Sequence, residues 1–236
     1  MNTKLDQQNI MVGSLLKAHV ALHNLTATEI ILTNLTISLV VSYQRPANMR
    51  IEKEHTLIFK ALLQEKIILA SDEICEVPFQ FVIPLYMPMM PATAIVKSAA
   101  NISIWQRIND SDELVILPHA KITELFDTFV ALGFKHTALS GYVEKHLSQP
   151  LQIFSIRPIK EPYLGVLKDL EFFYDITEDS IEVFIIADKM TKELLGIGKE
   201  HNKKKHSKIK FKIMFSEIIT TKLISYYIDE ILRIVK

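Results

Sequence analysis

From Leu35 to Tyr43 every second residue is apolar. Leu35, Ile37, Leu39, Val41 and Tyr43 share one face of an extended chain, and Thr36, Ser38 and Ser42 stand on the other. That period of two, with one apolar face, predicts a half-buried antiparallel strand. The same alternation returns at Leu16, Ala18, Val20 and Leu22, and at Val77, Phe79, Phe81 and Ile83. Strand-like runs fall at about 14–23, 29–43, 56–63, 74–83, 92–106 and 113–117, with turn signals at Ala47-Asn48 and Asn109-Asp110-Ser111-Asp112. The run Thr56–Leu63 is short enough to be a strand or a turn of helix, and its strand neighbours favour strand. Regularly spaced short strands predict a β-sandwich.

The pattern changes after Leu117-Pro118. Between His119 and Leu132 the apolar residues Ile122, Leu125, Phe126, Phe129 and Val130 recur at helical spacing; Pro118 suits a helix start and Gly133 a C-terminal cap. An amphipathic helix of this kind needs a partner surface, either its own domain's sheet or an interface. Strands are expected again at about 135–144, 151–157, 166–175 and 181–187, with a hairpin turn at Thr177–Ser180 and a short helical turn over 188–195. Ser207–Ile213 alternates with its lysines outward, and Ser216 is placed to cap a last helix over 216–236, with Ile224, Tyr227, Ile228, Ile231 and Val235 as its buried stripe. The expected architecture is mainly β: two antiparallel β-sandwich domains, 1–117 and 118–236, with helices at about 119–132 and 216–236. A chain of 236 residues accommodates two such cores.

Composition narrows the partners. Twenty-seven basic residues balance 27 acidic ones, which removes any global electrostatic case for nucleic acid or membrane and leaves only local charge. The single cysteine, Cys75, excludes an intrachain disulfide and fits a reducing compartment. Residues 1–8 lack the apolar stretch of a signal peptide and no long apolar run follows, so a cytoplasmic location is expected. Glycosylation sequons at Asn24, Asn34, Asn101 and Asn109 then read as by-products of Asn- and Thr-rich strands.

Ordered landmarks along nearly the whole chain resemble a known family. They are Thr3-Lys4-Leu5-Asp6, Gly13 followed by Lys17-Ala18, the strand ending at Tyr43, and Val77-Pro78-Phe79-Gln80-Phe81-Val82-Ile83-Pro84. Leu117-Pro118-His119, Leu132-Gly133-Phe134, Phe154-Ser155-Ile156-Arg157-Pro158, Gly165 and Asp169-Leu170-Glu171 continue the series. In order and spacing these resemble the sporulation-control protein family of the SpoOM type, whose fold is arrestin-like. Val12 stands where the family usually has proline, His23-Asn24 where it has a Gly-Gly turn, and 92–108 lacks the usual charged pattern, marking a divergent member. The resemblance implies a two-domain, non-enzymatic cytoplasmic protein linked to sporulation control or cell-envelope organisation.

Candidate chemistry is sparse. Cys75 shares strand parity with Val77 and Phe79, and nearby Asp72, Glu73 and Glu76 give it none of the cationic surroundings a nucleophilic thiol needs, so it is expected in the core. His19 and His23 lie too far apart along one strand to share a zinc ion alone, and His201 and His206 flank the cationic run Lys203-Lys204-Lys205. No metal and no cofactor is assigned. Gly196-Ile197-Gly198-Lys199 lacks the spacing and hydroxyl residue of a phosphate loop and reads as a helix end. The paired carboxylates, such as Asp72-Glu73 and Asp229-Glu230, fall on turns or helix surfaces with no apolar pocket to separate their pKa values.

One local feature stands out. Lys199, Lys203, Lys204, Lys205, Lys208, Lys210 and Lys212 are accompanied by a single acid, Glu200. Such a segment is a possible anion-binding surface for lipid headgroups or nucleic acid, although charges along a strand also guard a sheet edge. The leading expectation is a scaffold or regulatory binding protein that meets unidentified protein partners through sheet edges or the interdomain seam, with no small-molecule substrate. An anionic membrane or nucleic-acid binder acting through 199–212 is the alternative.

Overall fold

In the computed structural model the alternating runs of the first half pair into two sheets, and the chain start, which shows no alternation of its own, adds an edge strand to each. The structure describes residues 1–47, 50–89, 91–146, 149–189 and 207–234. It divides into two units, Met1–Leu117 and Pro118–Lys236. The first contains β1 (Asn2–Leu5), β2 (Asn9–Met11), β3 (Leu15–His23), β4 (Ile30–Ala47), β5 (Arg50–Leu69), β6 (Ile74–Val82), β7 (Thr93–Asn101) and β8 (Arg107–Leu117). One sheet runs β1-β3-β6 and the other β2-β8-β7-β4-β5. The strand faces expected to be apolar are the core: Leu16, Val20, Leu22, Leu35, Ile37, Leu39, Val41 and Tyr43 are buried.

Three features of this unit depart from the pattern reading. The chain start forms two short strands, with β1 antiparallel to β3 and β2 parallel to β8. Asn109–Asp112, expected as a turn, lies inside β8 opposite β7. Pairing overrides the turn propensity there, and Asp110 gains a partner by accepting the Thr3 backbone N–H at 2.6 Å. The reversal sits instead at 102–106, where the Ile102 N–H reaches the Gln106 carbonyl at 2.9 Å. β5 is also much longer than its apolar run, because charged residues on an exposed edge strand interrupt the alternation.

A change of parity occurs in β4. Leu32 and Leu35 are both buried although they stand three positions apart, where strict alternation would put them on opposite faces. Asn34, at φ 53°, takes the left-handed conformation that asparagine tolerates, and the register with β5 shifts between Leu35 and Thr36.

The second unit contains α1 (Ala120–Ala131), β9 (Phe134–His136), β10 (Tyr142–His146), β11 (Gln149–Pro158), β12 (Leu167–Ile176), β13 (Ser180–Lys189), β14 (Ser207–Met214) and α2 (Thr221–Ile234). Its strands run β10-β11-β12-β13-β14, and β9 pairs with the end of β11 that β10 leaves open. The strand expected over 135–144 is thus two strands separated by a loop with Gly141 at φ 85°. Residues 188 and 189 continue β13 instead of starting a helical turn; the remainder of that expected turn lies outside the described residues.

Helix α1 ends as its sequence predicts, with Gly133 at φ 85° past the C-cap Leu132. His119, not Pro118, is the N-cap: its Nδ1 accepts the Lys121 N–H at 3.2 Å, and its ring stacks on Phe215. The buried stripe is Ile122, Leu125, Thr128 and Phe129, while Val130 is mostly exposed. Rings from α1 and the sheet meet: Phe172 lies 4.8 Å from Phe129, 5.4 Å from Phe154 and 5.7 Å from Phe126. Helix α2 starts five residues later than expected, and its cap is Thr220, whose Oγ1 accepts the Leu223 N–H at 3.2 Å. Ser216 is not the cap, because the preceding segment is tied to α1: Glu124 accepts the Ile219 N–H at 2.6 Å and Lys121 Nζ at 2.7 Å. Ile224, Ile228 and Ile231 are buried and Tyr227 stacks on Phe211, whereas Val235 lies outside the described residues.

The His119 cap makes a pH dependence. Burial, then the nearby Lys121 charge, holds its imidazole below the ordinary 6.5. Partial desolvation beside the Phe126 and Phe154 rings lowers His136 likewise, although its residue remains exposed overall. The unfolded chain therefore takes up protons that the folded state refuses, and stability is full above pH 6.5 and falls as pH drops below it. Thermal unfolding from about pH 8 to about pH 5 should show a declining midpoint with part of the slope removed in His119→Asn, which caps without titrating. An identical slope in that variant rules out a contribution from the cap.

Candidate interaction surfaces

The lysines singled out by sequence divide into two groups. Lys199, Lys203, Lys204 and Lys205 lie outside the described residues, as does Gly196-Ile197-Gly198. Lys208, Lys210 and Lys212 are exposed on β14, with Phe211 and Ile213 turned to the core. β14 ends its sheet, so among the described residues these lysines stand on an edge strand. Their charge is partly answered from β13. Lys210 Nζ lies 2.9 Å from Glu182 and 5.1 Å from the centre of the Phe184 ring. Lys212 is opposite Glu182 and helps, after hydrogen bonds from Thr177 and Ser180, to hold the Asp179 carboxyl below its usual range.

Cys75 is half-buried on the face of Val77 and Phe79, opposite Leu22. The expected core position is thus met only in part, at the entry to β6, where the side chain shares the inward parity but is not fully covered. His19 Nε2 is 3.7 Å from Glu76, a cross-strand contact of the kind the exposed face of β3 invites. Among the described residues no group of three or more His, Cys, Asp or Glu side chains is arranged to hold a metal ion.

A second cationic surface, not recognised from sequence, lies on the outward face of the five-stranded sheet. Register aligns Lys60, Ser38, Lys97 and Ser111 in one row across β5, β4, β7 and β8. Arg107 stands two rows away on the same face of β8, and these residues line a cleft of 390 Å³. Ser98 and Asp110 turn to the other face, toward Thr3: the Ser98 and Thr3 hydroxyls are 2.7 Å apart, and the Asp110 carboxylate takes the Thr3 N–H. Lys60, Lys97 and Arg107 make no ion pair among the described residues. Three strands contribute one cation each, so no local window shows the cluster. Strand parity alone places each of them outward.

Open backbone edges complete the inventory. Among the described residues β5 has a hydrogen-bonded strand, β4, along one side only. It carries exposed Leu57 and Leu62 among its lysines and glutamates.

Two sheet-rich units, built mainly of antiparallel strands with one helix before and one after the strands of the second, define a fold of arrestin-like class. The profile described as SpoOM protein matches residues 1–191, and the chain belongs to that family. Over 161 residues it is 24% identical to the sporulation-control protein spo0M of Bacillus subtilis (strain 168), covering 66% of this chain and 62% of that protein. The matched stretch therefore spans less than two thirds of that relative. The crystal structure of Spo0M, sporulation control protein, from Bacillus subtilis is similar with a TM-score of 0.79 at 18% identity, over 98% of this chain and 96% of that one. At that identity the likeness carries the fold. The family is one of sporulation-control proteins, not a known class of enzyme. No helix among the described residues is long and apolar enough to cross a membrane.

Proposed function

We propose that this chain is a non-enzymatic scaffold or regulatory binding protein of the cytoplasm, working in sporulation control through protein partners at its sheet edges. The observation that carries the reading is the open side of β5, a strand of twenty residues that among the described residues is paired on one side only. A partner segment adding a strand there satisfies backbone groups on both chains, and exposed Leu62 supplies an apolar contact beside them. The charged residues along the edge keep it from pairing with copies of itself and leave specificity to the partner's side chains.

The test is capture of the tagged full chain from its own cells at low and high salt, with Leu62→Lys alongside. A defined partner that survives high salt with the wild type, and is at least about tenfold depleted with the variant, supports the edge reading. Recovery of only lipid or nucleic acid, lost at high salt, moves the function to the lysines of 199–212. That second reading draws on the exposed row Lys208, Lys210 and Lys212 and predicts strong salt dependence. Within that row Lys210 is engaged by Glu182.

A further inference from the structure

The β7–β8 reversal presents the two most exposed large apolar side chains among the described residues. Ile104 is 88% exposed and Trp105 91%. They stand on a formed turn. Ser103 Oγ accepts the Trp105 N–H at 3.2 Å and the Gln106 N–H at 3.1 Å, and the Ile102 N–H closes onto the Gln106 carbonyl. An adjacent isoleucine and tryptophan held outward at a hairpin tip make an apolar protrusion, which needs a deformable apolar medium or a pocket in another molecule.

The surroundings choose between these. Arg107 follows the tip directly, and Lys97 and Lys60 stand on the same sheet face about 14 Å further back, with Ser38 and Ser111 between and beside them. Ile31 and Ile68, paired across β4 and β5 near the same end, add partly exposed apolar surface. An apolar tip backed by three cations and hydroxyl donors matches the order of layers met on entering an anionic bilayer, with phosphate oxygens outside and acyl chains within. The acids at this end define the approach. Glu29 and Asp72 lie exposed on the neighbouring loops and oppose a flat, end-on landing, while Asp110 is turned away toward Thr3. The hairpin therefore leads, with the Lys60–Lys97 face inclined toward the headgroups.

We propose that the 102–106 hairpin and the Lys60, Lys97 and Arg107 cleft form a reversible docking site for an anionic lipid bilayer. Tryptophan favours the interface between headgroups and chains, and basic residues near the surface add attraction that salt screens. Nothing in this assignment depends on a protein partner at β5 or on the lysines of 199–212.

Trp105 is the chain's single tryptophan, so its fluorescence reports this site alone. The full chain is titrated with vesicles of phosphatidylcholine and of phosphatidylcholine mixed with phosphatidylglycerol, following emission wavelength and co-sedimentation. With the anionic vesicles the emission should move to shorter wavelength as the indole leaves water. The double variant Lys97→Glu/Arg107→Glu should bind about tenfold more weakly or worse. Ile104→Asp should abolish the shift, with Ile104→Ser as a second variant should the aspartate disturb folding. Lys208→Glu/Lys212→Glu and Leu62→Lys should leave the shift in place, which separates this site from the other two surfaces. An unchanged emission with anionic vesicles overturns the proposal, as does an equal response to neutral ones. Self-association in sedimentation velocity that Ile104→Asp removes, without vesicle binding, gives the tip to a second copy of the chain and equally overturns it.

Discussion

Phe172→Ala should destabilise the second unit by about 3–5 kcal/mol, lowering its thermal midpoint by roughly 10–20 °C. Phe172 is fully buried, and it is the ring at which α1 and the sheet meet, in contact with Phe126 and Phe129 from the helix and Phe154 from the neighbouring strand. Truncation removes the apolar transfer energy of the ring and leaves a void between two elements that cannot close without moving α1 off its bed. Phe172→Leu keeps most of the volume and should cost substantially less. Calorimetry of the two variants distinguishes packing from simple loss of hydrophobicity. A loss below about 1 kcal/mol for the alanine variant would mean that the helix is held chiefly by its other contacts, Glu124 with Ile219 among them.

Asn24→Ala should cost about 2–3 kcal/mol although it removes only a small amide. The side chain is buried, and its Nδ2 donates to the carbonyls of Thr28 at 2.8 Å, Leu69 at 3.1 Å and Ala70 at 2.8 Å. Its Oδ1 accepts the Thr26 N–H at 3.0 Å and the Thr26 hydroxyl at 2.7 Å. One residue thus joins the loop after β3 to the loop after β5, and its loss leaves carbonyls without partners in a site that water reaches poorly. Asn24→Asp keeps the acceptor but replaces both donated hydrogens with negative charge facing three carbonyl oxygens. It should be at least as damaging in urea unfolding. Wild-type stability in the aspartate variant would show that the amide donors contribute nothing.

Asn24 also shows how sequence and structure differ in what they reveal. Asn24-Leu25-Thr26 matches a glycosylation signal, but its amide is buried. The spacing nevertheless has a cause, since Thr26 lies where its N–H and hydroxyl reach Oδ1. Long apolar alternations, as in β3, β4 and β6, were legible because a single buried face sets the period. β1, β2 and the first half of β8 were not, because β1 and that half of β8 are mostly polar and β2 is only three residues long, so all are strands through their neighbours. The start of α2 was misplaced for a similar reason: Ser216 has the chemistry of a cap, but hydrogen bonds to α1 hold the following residues outside the helix. Of the surfaces, the lysines of β14 were visible because they recur at every second position of one short stretch of chain. The Lys60, Lys97 and Arg107 cleft became visible only once register placed three strands side by side.

The short strands at the chain start also constrain how the first unit is made. β2 is paired with β8, and Thr3 bonds Asp110 more than a hundred residues later. During synthesis β1 can join β3 early, but β2 has no neighbour in its sheet until β8 has left the ribosome. The five-stranded sheet is therefore completed by a segment that is among the first to emerge and among the last to settle. Such a closure is slow in proportion to the chain it must gather, and until it happens the edge of β8 stays open to pairing with another molecule.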